Sequence, residues 1–354
     1  MRVRRRTTDE RGVVALTVAL ILVLILAMTA LAVDGSVLYL KHRDVRTAND
    51  AAALAAAWSC GRDEGFSTAE AQADAYAVDN VFNARQKVPN VYTPNCDADT
   101  GTVTVRYEAE QDLLFGPAIG AGSSRWVSAS ATAKWGGAGA VSQVAPLMLS
   151  AHRLADCDIP SDDLVPYVDR CIFWWDNAMD ANGSGTWGLM NLSTWGVDWP
   201  YNCQAPGLNS YREWLTNGYP GALYLADEGE PTYVCADSGF YGGALNNVLA
   251  QGVGHEYAFP VNDPATQIDR SGVACPPECK PDKYNIIGFA WLKIEGVFKP
   301  SDPAWATYCS SVPPEFSTGS SRCLVALWVG FSRSPIVSEG EGENFGIVQT
   351  WLTG

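Results

Sequence analysis

Histidine is nearly missing from this chain: His42, His152 and His255 are the only three in 354 residues. None stands in a pattern that supplies chemistry. His255-Glu256 has no second His four residues after the first, so there is no zinc-protease helix. There is no G-x-x-x-x-G-K phosphate loop, no G-x-S-x-G nucleophile turn and no C-x-x-C pair. These absences speak against a nucleotide hydrolase, a serine hydrolase, a thioredoxin-type redox centre and a paired-cysteine zinc site. Positive charge is also scarce. Five of 24 basic and two of 39 acidic residues lie in the first twelve, so the remainder carries 19 against 37 and stands at −18. A body that acidic repels a phosphate backbone, and no nucleic-acid partner is expected. Charged residues make up only 18% and apolar ones 47%, enough to bury a sizeable core in two or three domains.

What is abundant is one apolar run. Val13 to Val33 are 21 consecutive uncharged residues, thirteen of them Leu, Ile or Val. As a helix the run spans about 31 Å, the thickness of a hydrocarbon core. Those thirteen side chains alone favour insertion by about 4–8 kcal/mol. Arg2, Arg4, Arg5, Arg6 and Arg11 precede the run, against Lys41, Arg43 and Arg46 after it. The bias predicts a single-pass cell-membrane protein with a cytoplasmic N-terminus and an extracellular C-terminal domain. All ten cysteines follow the run, which predicts disulfides in an oxidising compartment and the same orientation. Ala30-Leu31-Ala32 also suits a signal-peptidase site, but the run is longer than the usual signal core. Retention as an anchor is therefore the expectation, and release after Ala32 the alternative.

The pattern beyond the run predicts an α+β fold. Leu38, Val45 and Ala52 recur every seven residues, and Ala51–Ala57 is all Ala except Leu54, so the helix should continue to about Trp58. Ser67-Thr68-Ala69-Glu70 reads as a capping box opening a second helix with Ala71, Ala75, Val78 and Phe82 on its packed face, ending before Pro89. Thr102–Glu108 and Trp126–Trp135 alternate and read as a strand pair. The expected organisation is a basic tail (1–12), a transmembrane helix (13–33), an α/β stalk (34–135), a flexible Gly/Ala linker (136–140) and a mostly β extracellular domain (141–354). Strands are predicted there at 187–192, 222–225, 232–235, 284–294 and 323–331, and a short helix at 244–249.

The cysteines are the strongest chemical feature. Pairs close in sequence are Cys60 with Cys96, Cys157 with Cys171, Cys203 with Cys235 and Cys309 with Cys323. Cys275 and Cys279 close a small loop or pair elsewhere, and sequence alone does not fix connectivity. Asp176, Asp180 and Asn182 before Gly183 hint at a calcium loop, but Ala178 stands where its first Asp belongs, and an Asn-Gly turn explains the pattern equally. No cofactor is expected. Trp174, Trp175, Trp187, Trp195, Trp199 and Trp214 offer either a sugar-stacking surface or core packing.

The N-terminal motifs form a recognisable series. Asp9-Glu10-Arg11-Gly12 precedes the apolar run, Ala32-Val33-Asp34-Gly35 closes it, Val37-Leu38-Tyr39-Leu40 follows, and Thr47-Ala48-Asn49-Asp50 leads into the alanine run. The series resembles the N-terminal domain of Tad/Flp pilus-assembly proteins of the TadE/TadG type, densely over residues 9–57 and loosely to 135. Thr186–Leu192 and Ile287–Trp291 resemble the extracellular extension of actinobacterial members. The resemblance implies a non-enzymatic envelope protein of a type IVb-like pilus system, with the bilayer and other pilus or envelope components as partners. It also implies a prepilin-peptidase cut between Gly12 and Val13. Pilins carry Glu five residues after the cut, where this chain has Thr17, so an accessory or minor component is implied rather than a filament core. The D-x-S-x-S metal motif of some members is not matched by Asp34–Leu38. Adhesion to a surface glycan is the alternative function, and a released hydrolase a further one.

Overall fold

One helix dominates the N-terminal third. In a computed structural model, which describes residues 10–81, 84–92, 96, 100–157, 166–175, 187–195, 203, 206–226, 230–237, 243–269, 273–274, 282–314, 317, 319, 321–330, 336–338, 343–345 and 347–353, α1 runs unbroken over Glu10–Gly61. Its 52 residues make a rod about 78 Å long. The expected extension past the apolar run is borne out, and Gly35 does not interrupt it. Polar side chains in and just past the run bond back to their own helix: Thr29 Oγ1 donates to the Ile25 carbonyl at 2.8 Å, and Ser36 Oγ to Ala32 at 2.6 Å. Neither hydroxyl then needs water.

The second helix, α2, covers Phe66–Asn80. It differs from the sequence reading in two ways. Ser67 does not cap it: Gly65 takes the cap position two residues earlier, the helix starts at Phe66, and no side chain caps that end. The packed face is Ala69, Ala73 and Ala77, not Ala71, Ala75 and Val78, which are exposed; Phe82 lies outside the described residues. The reason is distance of approach. This face meets Ala52, Ala53, Ala56 and Ala57 of α1 in one buried cluster, and helices this close admit only methyl-sized side chains between them.

Both helices lie on a four-stranded sheet in the order β1 (Ala84–Tyr92), β2 (Gly101–Asp112), β3 (Ser124–Gly137) and β15 (Val348–Thr353). The β2–β3 hairpin was legible from its alternation; its two neighbours were not. β1 contains Pro89, which a sheet tolerates at an edge beside an irregularity, and the register on β2 shifts between Gln86 and Val91. β15 comes from the far end of the sequence and pairs antiparallel with β3, Val348 opposite Gly137 and Thr353 opposite Thr132. Trp135, 1% exposed, fills the end of this layer. A Cβ on Gly101, its partner on β2, would stand 2.4 Å from the indole, so only Gly lets the ring lie there.

The expected flexible linker has a different character. Gly136 and Gly137 belong to β3, and residues 135–140 are all buried. The backbone is held from both sides: Ala138 N–H donates to Ile347 O at 3.1 Å, and Gly139 O accepts from Leu225 N–H at 2.7 Å. Five small residues permit close strand packing here as readily as they permit freedom. β4 (Ala140–Val141) then joins β8 (Leu223–Tyr224) and β13 (Ile336–Ser338) in a small sheet.

The remainder is mostly β, as the sequence suggests. Its main sheet contains β5 (Leu147–Ser150), β6 (Arg170–Trp175), β7 (Trp187–Asn191), β9 (Thr232–Ala236), β10 (Glu256–Asn262), β11 (Lys283–Phe298), β12 (Arg322–Trp328) and β14 (Glu343–Phe345). The pairing of β10 with β11 closes β10, β5, β7, β9 and β11 into a ring. β11 is flanked on both edges at Ile286, which faces Thr232 of β9 on one side and Asn262 of β10 on the other. Side-chain amides take over backbone bonds there: Asn262 Oδ1 accepts from Asn285 N–H at 3.0 Å, and Asn285 Oδ1 from Thr232 N–H at 3.1 Å. Short helices cover the core, among them α3 (Ala151–Asp156), α4 (Leu208–Asn217) and α5 (Gly243–Leu249).

Two buried tyrosines make this region sensitive to alkali. Burial raises the Tyr211 phenol above its usual range, reinforced by its 2.7 Å hydrogen bond to the Asp237 carboxylate. Burial alone raises Tyr257, whose hydroxyl donates to Leu215 O. Both stay neutral in the fold and ionise near pH 10 when unfolded, so their contribution is complete below about pH 10 and declines above it. Lys283 is lowered by burial, against Asp282, which raises it. It acts oppositely, adding stability up to its unfolded value near pH 10.4, beyond which the tyrosines act alone. Urea unfolding from about pH 10.5 to 11.5 should show Tyr257→Phe less stable at the outset but with a slope flatter by about 1.4 kcal/mol per pH unit. Parallel slopes would contradict the assignment.

Candidate functional site: the apolar helix and its docking pins

The feature with the clearest functional content is α1 itself. Apart from Ala30, every residue from Val14 to Ala32 is exposed, including Leu20, Leu24 and Leu31 at 65%, 56% and 62%. The helix is apolar on all sides yet uncovered, which does not suit a soluble surface. Among the described residues it is the one helix long and apolar enough to cross a membrane, with a mean hydropathy of 2.9 over its best 18-residue window.

Past the run, the helix is fixed to the sheet by two polar side chains. Asp34, 8% exposed, accepts backbone N–H bonds from Leu114 at 2.9 Å and Phe115 at 3.1 Å, in the loop between β2 and β3. Asn49, fully buried, accepts the Tyr107 N–H of β2 at 2.8 Å while its amide donates to Val45 O at 2.7 Å. The spacings agree. Fifteen residues of helix from Asp34 to Asn49 rise about 22 Å, and seven residues of extended chain from Leu114 back to Tyr107 cover about 23 Å. Helix and strand therefore run antiparallel in matched register. Tyr107 continues the chain of contacts, its hydroxyl donating to Asp74 of α2 at 2.6 Å. Asn49→Ala removes the acceptor for a buried N–H and should cost about 1–3 kcal/mol in thermal unfolding of the detergent-solubilised chain. An unchanged midpoint would mean that Asn49 does not pin the helix.

Among the described residues four disulfides are formed: Cys60–Cys96, Cys157–Cys171, Cys203–Cys235 and Cys309–Cys323. Cys60 sits in the last turn of α1, so the first bridge closes the far end of the docked helix. Cys275 and Cys279 lie outside the described residues, as do Asp176, Asp180 and Asn182. Among the described residues no three His, Cys, Asp or Glu side chains gather into a metal-sized group. Gly12 and Val13 lie near the start of α1, and Thr17 within it. Of the six tryptophans, three have described side chains, and each is engaged in packing. Trp174 is buried beneath Arg153, whose guanidinium sits 4.7 Å from its ring centroid. Trp195 stacks on Phe289, and Trp214 meets Tyr211 and Tyr219 edge-on. A groove of about 460 Å³ runs between α1 and α2, lined by Leu54, Trp58, Arg62, Gln72 and Tyr76 among others.

The sequence reading found the apolar run and the Asp34 and Asn49 motifs but not what those two side chains hold. The available signal was a buried-type Asn amid alanines and a loop after β2 that carries no charge.

Residues 12–59 match the family model for Tad, the Flp pilus-assembly TadE/G-like proteins. The match falls wholly within α1 and takes in the apolar run, Asp34, Asn49 and the α1 alanines 52, 53, 56 and 57 that meet α2. No curated protein and no solved structure matches the chain.

Proposed function

We propose that this protein, with its TadE/G-like segment at 12–59, is a membrane-anchored envelope component of a Tad/Flp-type pilus assembly system. One observation carries the reading: the family match coincides with a helix that is apolar and exposed over 14–32 and docked onto a sheet from Asp34 onward. In this reading residues 13–33 cross the membrane once, residues 1–12 are cytoplasmic, and residues 34–135 form a pilin-like stalk. Residues 141–347 form the extracellular head, and the chain returns to the stalk in β15 (Val348–Thr353), the fourth strand of its sheet. The four disulfides suit that side of the membrane.

The role is accessory or minor rather than that of the main filament subunit. Processing between Gly12 and Val13 would place Thr17 where a filament subunit offers a carboxylate to its neighbour's N-terminal amine. The matched family is one of pilus assembly, and the reading is non-enzymatic. Deleting the gene should abolish surface filaments or attachment, and the full-length chain should restore them. Normal filaments and normal attachment after deletion would overturn the reading. A glycan-binding head gains no support from Trp174, Trp195 and Trp214, which are packed against their own domain.

A further inference from the structure

The loop between β2 and β3 is unlike an ordinary surface loop. Residues 113–123 (LLFGPAIGAGS) contain no charge, and three of their large apolar side chains face outward: Leu114 is 72% exposed, Ile119 51% and Phe115 41%. Its backbone is largely closed on itself. Leu113 N–H donates to Ser123 O at 2.8 Å, Ala118 to Phe115 O at 3.0 Å and Ala121 to Gly116 O at 2.8 Å. Leu114 and Phe115 N–H go to Asp34. Glycine makes the closure feasible, since a Cβ on Gly116 would stand 2.4 Å from Gly122 O. A loop with satisfied backbone groups and outward apolar side chains is suited to a low-dielectric surrounding rather than to water.

Its position says which surrounding. Asp34 is the first charged residue after the apolar run, and it holds the loop directly. Ala30 lies one turn below Asp34 on the same face of α1, and it is 7% exposed while the rest of 14–32 is exposed. The cover over that face thus reaches about 5 Å into the apolar run. On the side away from the span stand exposed Tyr39, about 7.5 Å beyond Asp34 along α1, and exposed Trp126, beside Arg125 on β3 and opposite Glu110, about 13 Å beyond the level of Leu114. Aromatic and cationic side chains of this kind gather where hydrocarbon meets headgroups.

We propose that the β2–β3 loop is a second membrane contact, with Leu114, Phe115 and Ile119 seated in the headgroup–acyl boundary of the bilayer that α1 crosses. The inference rests on the reading of α1 as a membrane span. It gives that reading a geometry: the helix leaves the bilayer with its sheet end-on to the surface, held by the span on one side and the loop on the other. The stalk then stands at a fixed tilt instead of pivoting on a single helix.

The test uses the full-length protein in lipid nanodiscs. A small environment-sensitive fluorescent amino acid is placed at 114, at 119, at 24 in mid-span, or at 253, which is exposed on the outer domain. Nitroxide-bearing lipids serve as quenchers. Position 24 should lose fluorescence to deep nitroxides, positions 114 and 119 to shallow ones, and position 253 to neither. Quenching at 24 with none at 114 and 119 would overturn the second contact while leaving the anchor intact. Blue-shifted but unquenched emission at 114 and 119 would assign the loop to a protein neighbour and overturn it too. Loss of quenching at 24 as well would remove the membrane reading and the proposal with it.

Discussion

Replacing Cys60 and Cys96 together by Ala is expected to destabilise the N-terminal unit by about 4 kcal/mol, the loop-closure value for a bridge across 36 residues. Both positions are buried, at 2% and 5% exposure, and Cys60 belongs to the cluster that includes Trp135 and the alanine face. The bridge ties the end of α1 to the chain between β1 and β2, so without it the helix end and β1 should open first. Hydrogen exchange in detergent should show protection lost there before it is lost in β11 or β12. The matching Cys157→Ala, Cys171→Ala pair closes only 14 residues and should cost about 3 kcal/mol, confined to the outer domain. A change below about 1 kcal/mol for the first pair would show that the helices hold the unit without it.

Ala73→Leu is expected to cost the same unit about 3 kcal/mol or more, and Ala75→Leu almost nothing. Ala73 is fully buried between α1 and α2, and the added isobutyl group has no space unless the helices separate. Ala75, two residues on, is exposed, and substitutions there should stay within about 0.5 kcal/mol. For a unit of this size the first change lowers the unfolding midpoint by about 12 °C or more. The pair separates two readings of α2, because hydrophobicity alone places Ala75 and Val78 inward. Equal effects would mean that the alanine face is not the contact.

That misassigned face shows where the sequence was legible. Hydropathy and periodicity found α1 to within three residues of its end, the β2–β3 hairpin, and the long strands β11 and β12, because each pattern is local and long. They misplaced the face of α2 because its packing depends on closeness to a second alanine-rich helix, where small side chains outrank large ones. They missed β15 because its six residues owe their strand to β3, more than two hundred positions earlier, and nothing near Val348 records that pairing. Residues 136–140 were read as flexible for the same reason: five small residues look alike whether free or clasped between Ile347 and Leu225. Of the site, the run and the motif residues Asp34 and Asn49 were visible. Their partners, two backbone N–H groups on a loop and one on a strand, carry no side-chain signature.

Carbonate extraction of native membranes, followed by non-reducing mass analysis of the chain, tests the central claim most directly. The expected result is an integral membrane species that begins at Met1 or Val13 and carries its cysteines as disulfides. Recovery of the full-length chain from the soluble fraction with free thiols would contradict it, because a helix exposed along nearly all of residues 14–32 would then have no lipid to meet.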